Sequence, residues 1–131
     1  MVRTPRAYVS GMTPRSPHAE EWHPVCRLAE LEVQRGVAAL VHGQAVAIFR
    51  DDDDVVYAVG NHDPYHRASM LARGIVGRRG GVPFVAPLAH GHAFDLRTGR
   101  CLEDDQVSVP AYDVKVVEGV VLVGHRKAAA A

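Results

Sequence analysis

Two stretches of the chain gather side chains that bind metals. One is Asn61-His62-Asp63-Pro64-Tyr65-His66-Arg67-Ala68-Ser69-Met70-Leu71. The other, residues 85–99, carries His90-Gly91-His92 ahead of Phe94-Asp95 and an Arg97-Thr98-Gly99 turn. Imidazole and carboxylate donors on two loops are what a protein uses to clasp zinc or iron, provided that three or four converge on one ion. His62, Asp63 and His90 are the natural candidates for a mononuclear site. No pair of them sits four residues apart on a helix, so the polarity of the loops explains the histidines as readily as a metal does. The remaining histidines, His18, His23, His42 and His125, fall in tails and turns and are expected at the surface. Asp51-Asp52-Asp53-Asp54 reads as a solvated turn, because a calcium loop needs spaced carbonyl ligands that a run of four aspartates lacks. Cys26 and Cys101 read as small buried hydrophobes. Ser10, Ser16, Ser69 and Ser108 stand in no nucleophile-elbow context, and no Gly-x-Gly-x-x-Gly or cysteine quartet is present.

The elements that hold these loops are strands. His42-Gly43 separates the apolar runs 36–41 and 44–49, and Glu118-Gly119 separates 112–117 from 120–123; both breaks are two-residue hairpin turns. Tyr112, Val114 and Val116 alternate with Asp113 and Lys115, the period of a half-buried strand. Residues 28–35 read as a single short helix ended by Gly36. Short strands joined by glycine-bearing turns predict an all-β fold, an antiparallel sandwich or barrel with two protruding loops.

Composition narrows the function. The chain has 131 residues, 47% hydrophobic and 23% charged, enough for one folded domain. Fifteen basic residues balance fifteen acidic ones, which leaves no field to hold a nucleic-acid backbone or an anionic membrane. Apolar runs such as 45–49 and 120–123 fall far short of the roughly 20 residues of a membrane span. Two cysteines build neither a disulfide scaffold nor a four-thiolate site, and the reading is a cytoplasmic protein. Residues 1–21, with Arg3, Arg6, Arg15 and three prolines, read as a basic flexible tail. The domain is expected over 22–124, with a second flexible tail at 125–131.

The two loops resemble those of Rieske-type iron–sulfur domains, which carry Cys-x-His and Cys-x-x-His-Gly followed by Phe-Asp and Thr-Gly. Matching Phe94-Asp95, Thr98-Gly99 and Pro64 places His90 on the second-loop histidine. Pro87 (or Ala86) and Asp63 then fall where thiolates belong, and Tyr65 where the first-loop histidine belongs, with His66 one place on. One or two of four ligands survive at most. A Rieske cluster needs two thiolates on one iron and two imidazoles on the other, so an electron-carrying cluster is not expected. Pro64, Pro83 and Pro87 stiffen such ligand-free loops, and Tyr65, Met70, Leu71 and Leu88 supply apolar packing.

A narrower resemblance covers residues 22–123. Trp22-x-Pro-Val-Cys26, Tyr57-Ala-Val-Gly-Asn-His-Asp-Pro-Tyr65, Leu71-Ala-Arg-Gly-Ile-Val-Gly77 and Phe94-Asp-Leu-Arg-Thr-Gly-Arg-Cys-Leu102 are similar to the small subunit of assimilatory NAD(P)H-dependent nitrite reductase. That family keeps a Rieske-like fold without the cluster ligands; His90-Gly91-His92 is a departure toward the metal-binding relatives. The resemblance implies a non-catalytic subunit of the enzyme that reduces nitrite to ammonium in nitrogen assimilation. It implies no cofactor in this chain. It also implies a large subunit that holds flavin, a [4Fe–4S] cluster and sirohaem and on which this chain would dock. The docking ridge expected from the loops comprises His62, Tyr65, His66, Arg67, Met70 and Arg73, with Leu88, His90 and His92 from the second loop. The alternatives are a stand-alone Rieske-like ferredoxin and a mononuclear metal-binding or regulatory module.

Overall fold

The computed structural model of the chain describes residues 22–87 and 91–128. Its strands are β1 (His23–Arg27), β2 (Gly36–Val41), β3 (Gln44–Arg50), β4 (Val56–Gly60), β5 (His62–Asp63) and β6 (Ala68–Ser69). They continue as β7 (Ile75–Arg79), β8 (Val82–Ala86), β9 (Phe94–Asp95), β10 (Ala111–Val117) and β11 (Val120–Arg126). The two expected hairpins form. His42-Gly43 takes φ of 51° and 80°, and Glu118-Gly119 takes 51° and 80°, the left-handed pair that matches the twist of the flanking strands. A third such turn, Gly80-Gly81, joins β7 to β8.

Six strands build one antiparallel sheet in the order β1-β11-β10-β4-β3-β2, and β7-β8-β9 and β5-β6 form two smaller ones. The apolar run of β3 is continuous because both of its faces are buried. Val46 and Ile48 join Cys26, Leu31, Val41, Val121 and Val123 in one core. Ala47 and Phe49, facing the other way, join Leu71, Val76, Val85, Phe94 and Leu96 in a second. That second core packs the three-stranded sheet and both loop bases onto the main sheet. Trp22 lays its ring against Gly124, under the Lys115 ammonium at 4.3 Å from the ring centre.

Three expectations are corrected. The helix expected over 28–35 is a single 3₁₀ turn at Leu28–Glu30, after which Leu31 is extended and Gln34 left-handed at φ 67°. The Arg50 guanidinium takes the carbonyls of Leu28 at 3.2 Å and Leu31 at 2.9 Å, acceptors that a longer helix would have used itself. The aspartate run is not wholly solvated: Asp51 is 3% exposed. One of its oxygens accepts the Asp53 and Val55 N–H groups at 2.9 Å each, and the other accepts the Tyr57 hydroxyl at 3.2 Å and Arg78 at 2.9 Å. A carboxylate with four donors is buried at little cost. Asp51, Asp52 and Asp53 are the one acidic or thiol/imidazole trio among the described residues close enough to share an ion, and Asp51 has its oxygens committed. Finally, β11 continues through Arg126, and the Lys127 N–H reaches Ala111 O at 2.7 Å, beyond the domain edge expected at Gly124. The basic tail expected over 1–21 lies outside the described residues.

Both cysteines are buried and unpaired, and they belong to different cores. Burial, reinforced by Glu30, pushes the Cys26 thiol up to about 11. A thiol whose folded value is raised stabilises the fold fully below its unfolded value, about 8.5, and that contribution disappears as pH rises through about 11. Native Cys26 should therefore resist iodoacetamide at pH 8 by at least about tenfold relative to the same thiol in urea, read by mass spectrometry. Equal rates would contradict the burial.

Candidate functional site

Asn61 and Asp63 shape the first loop. Asn61, 6% exposed, donates its N–H to Ala45 O at 3.0 Å and accepts the Met70 and Leu71 N–H groups at 2.9 and 3.0 Å on its own carbonyl. Its side-chain oxygen takes the Ala72 N–H at 2.7 Å. Asp63, fully buried, accepts the Tyr65 N–H at 2.8 Å and the His66 N–H at 3.4 Å on Oδ1, and meets His66 Nδ1 at 2.8 Å through Oδ2. The Arg67 N–H closes the turn on Asp63 O at 2.7 Å, with Arg67 left-handed at φ 56°. An aspartate that gathers the amides of the following residues is a side-chain imitation of a backbone turn.

The second loop rests on a turn and a carboxylate. Asp95 accepts the Arg97 N–H at 2.8 Å and holds its guanidinium at 3.1 and 3.0 Å. Glu103 accepts the Ala93 N–H at 2.9 Å and pairs with Arg79 at 2.8 Å. Gly91 lies so close to Pro87 that an added Cβ would strike the proline ring.

The loops meet through Tyr65. Its ring stacks on His92 with centroids 3.8 Å apart and planes 11° from parallel, and Phe94 supports it at 6.1 Å. The Tyr65 hydroxyl donates to Cys101 Sγ at 3.4 Å, and the Cys101 thiol approaches Glu103 at 3.7 Å. A relay of Tyr65, Cys101 and Glu103 thus runs from the first loop to the carboxylate that holds Ala93 in the second. The hydrogen bond to Cys101, followed by burial and the negative field of Cys101, Asp104 and Glu103, raises the tyrosine above its ordinary value, so it stays a protonated donor. Cys101 follows the 85–99 stretch in the chain; β9 and the bridge from Phe94 to Cys101 bring it underneath the loops.

His62, His66, Arg67 and Arg73 are exposed, and Tyr65, Met70 and His92 are half-buried. Leu88 and His90 lie outside the described residues. Asp63 and His66 share a contact, whereas His62 lies on β5 opposite Ser69 and joins no ligand cluster among the described residues.

These residues do not fit a [2Fe–2S] cluster. Asp63 stands at one thiolate position with its oxygens committed to Tyr65 and His66. Pro87, at the other, has no donor atom. Tyr65, at an imidazole position, fills the gap between the loops with a stacked ring. One thiol, Cys101, reaches the site from below, and Cys26 lies in the other core. Two thiolates on one iron cannot be assembled from this set.

A curled antiparallel sheet with a three-stranded layer and two loops at one end defines the class: this is a Rieske-like domain, and residues 21–124 match the family model described as Rieske-like [2Fe-2S] domain. The chain is 40% identical over 102 residues to the nitrite reductase (NADH) small subunit of Salmonella typhimurium, covering 77% of this chain and 94% of that protein. A solved nitrite reductase [NAD(P)H] small subunit from Erwinia carotovora is 40% identical with a TM-score of 0.69, covering 85% of this chain and 86% of the other. The ferredoxin of carbazole 1,9a-dioxygenase from Nocardioides aromaticivorans is 31% identical with a TM-score of 0.67, covering 77% and 96%. A nitrite reductase [NAD(P)H] large subunit from Klebsiella oxytoca is 35% identical over 106 residues, 81% of this chain and 11% of that protein. Within the Rieske-like class, the chain belongs to the nitrite reductase small-subunit family.

The second loop carries an acid-sensitive element. Burial alone would raise Asp95 and Glu103, but the hydrogen bonds from Arg97 to the one and from Arg79 and Ala93 to the other outweigh it and hold both below the ordinary carboxylate range. A lowered folded value means that the stabilisation is present above the unfolded value, about 4, and is lost as pH falls through the folded one. Between pH 5 and 3 the melting temperature should fall, and Asp95→Asn with Glu103→Gln should flatten that fall while lowering stability at pH 7. An unchanged acid profile in the double variant would remove the assignment.

Proposed function

We propose that the chain is a non-catalytic subunit of an NAD(P)H-dependent nitrite reductase, docking on the large subunit through its two loops and stabilising or positioning it for nitrogen assimilation. The observation that carries this reading is the Tyr65–His92 stack, which occupies the loop junction where its fold relatives would need metal donors. Loops held together by side chains keep the shape of an electron carrier's tip and leave contact as their work. The flavin, [4Fe–4S] and sirohaem cofactors then belong to the partner, and this chain holds none. The Klebsiella large subunit supports the pairing, since a domain like this one lies within the same polypeptide there. Two unpaired cysteines suit the reducing cytoplasm. No helix among the described residues is long and apolar enough to cross a membrane.

The interface centres on Tyr65, His66, Arg67 and Met70, with His62, Arg73 and His92 beside them; Leu88 and His90, expected in the same interface, lie outside the described residues. Aromatic, methionine and arginine side chains are the types that anchor interfaces. Arg67→Ala with Met70→Ala should weaken binding to the organism's large subunit by at least about tenfold, since arginine anchors commonly contribute more than 1 kcal/mol. Full binding by the folded variant would move the interface elsewhere.

The ferredoxin at 31% identity favours a second reading, an electron carrier. One experiment separates the two. The purified chain should be colourless and should restore nitrite reduction when combined with the large subunit. Stoichiometric iron and labile sulfide would establish the ferredoxin reading instead.

A further inference from the structure

β2 forms one margin of the six-stranded sheet. It pairs with β3 over all six residues, Gly36 to Val41, and among the described residues no strand hydrogen-bonds to its other side. Among the described residues, none of Val37, Ala38, Ala39 and Leu40 exchanges a backbone hydrogen bond with anything but β3. Sheet margins are normally blunted by proline, charge, a bulge or a cover. The opposite margin follows that rule, because β1 carries Pro24 and a break in register beside it. β2 does not: Gly-Val-Ala-Ala-Leu-Val has no charge, no proline and an unbroken register. Leu40 is 68% exposed and Val37 37%.

The surroundings specify what fits. A row of backbone donors and acceptors left to solvent at a sheet edge is a template on which an extended peptide can add as a strand. Next to the Gly36 end lies a groove of about 490 Å³ lined by Arg35, Arg73, Ile75 and the two glycines Gly36 and Gly74. The Arg73 guanidinium has no ion pair among the described residues, and the Arg35–Glu32 pair is exposed on both sides. The occupant therefore carries carboxylates at that end and apolar side chains over Val37 and Leu40. The edge is also continuous with the loop face: Leu40 lies opposite Ala45, whose carbonyl holds Asn61, and Asn61 holds Met70.

We propose that the free edge of β2 receives an extended, apolar and acidic segment of the large subunit as an added strand, beside the contact made by the loops. This rests on the docking reading above, and it assigns the partner's conformation and chemistry.

The test uses the full chain with the large subunit of the same organism. In the complex, the amides of residues 37–40 that point away from β3 should exchange at least about tenfold more slowly than in the free chain. Leu40→Lys should weaken binding by at least about tenfold while its melting temperature stays within a few degrees of the parent, and Arg73→Glu should weaken it too. Wild-type binding with unchanged β2 exchange and an unaffected Leu40→Lys variant would overturn strand addition and leave loop docking standing. A wild-type dimer that Leu40→Lys dissolves, with the complex unaffected, would assign the edge to a second copy and overturn the proposal. Failure of the wild-type chain to bind at all would overturn the docking reading, and strand addition with it.

Discussion

Asp63→Ala should cost about 2–4 kcal/mol of folding free energy, a large fraction of the stability of a small domain. The carboxylate is fully buried and accepts two backbone amides and one imidazole contact. Removing it strands the Tyr65 N–H in a half-buried turn and releases His66, and a buried donor left without its acceptor costs more than the bond it once made. The effect should reach function, because Tyr65 is placed against His92 by that turn. Asp63→Asn separates the parts: it keeps an oxygen for the Tyr65 amide and gives up the charge facing His66, so its loss should be the smaller. Urea denaturation of the three proteins checks the order. A loss below about 1 kcal/mol for Asp63→Ala would mean that the turn is held by something else.

Asp63 also marks where the sequence is legible and where it is not. Local rules found the hairpins, because His42-Gly43 and Glu118-Gly119 are chemically suited to left-handed turns. The pattern of Phe94-Asp95 and Thr98-Gly99 located the second loop and exposed the missing sulfur donors. That Asp63 itself became the organiser of the first loop was not legible, since its role depends on burial, which a single aspartate in a polar loop does not advertise. Asn61 was overlooked for the same reason, although its three accepted amides fasten the loop to the 3₁₀ turn at Leu71–Arg73. Asp51 was misread because charge alone argued for solvent, while Tyr57 and Arg78 arrive from other strands to satisfy it. The helix over 28–35 failed at Arg50, whose guanidinium competes for carbonyls from 19 and 22 residues away. For Asn61, Asp51 and the 28–35 segment the deciding partner is distant in sequence, and for Asp63 it is burial by the rest of the fold that decides.

The same contrast explains how a cluster's scaffold can be kept without the cluster. A metal joins two loops with a few strong bonds; this chain joins them with a ring stack, a thiol relay and two carboxylate anchors, each individually modest. Distributed contacts of that kind hold only if the loop bases are already positioned by the backbone. The base of the second loop therefore carries more of the burden than it would beneath a bound ion.

Gly99 is that base, and Gly99→Ala should cost about 3 kcal/mol or more. Its φ of 83° lies in the left-handed region, where a side chain costs about 1–2 kcal/mol. In addition, a Cβ there would run into the Val109 carbonyl oxygen. The two contributions add, because the backbone cannot relax one without breaking a ladder: the Gly99 N–H is held by Asp95 O at 2.7 Å and its carbonyl accepts the Val109 N–H at 2.8 Å. Gly99→Asn discriminates between them. Asparagine tolerates the left-handed conformation but carries the same Cβ, so if the collision dominates it should be nearly as destabilising as alanine, and if conformation dominates it should recover most of the loss. The collision should dominate, since the opposing atom is main chain and cannot swing aside. The damage should also be felt at Tyr65, because displacing the Asp95–Gly99 turn moves Phe94 and Cys101, on which that ring rests. A folded Gly99→Ala variant with the stability of the parent would show that the second loop does not depend on this turn, and with it the case for a backbone-positioned, metal-free tip would fail.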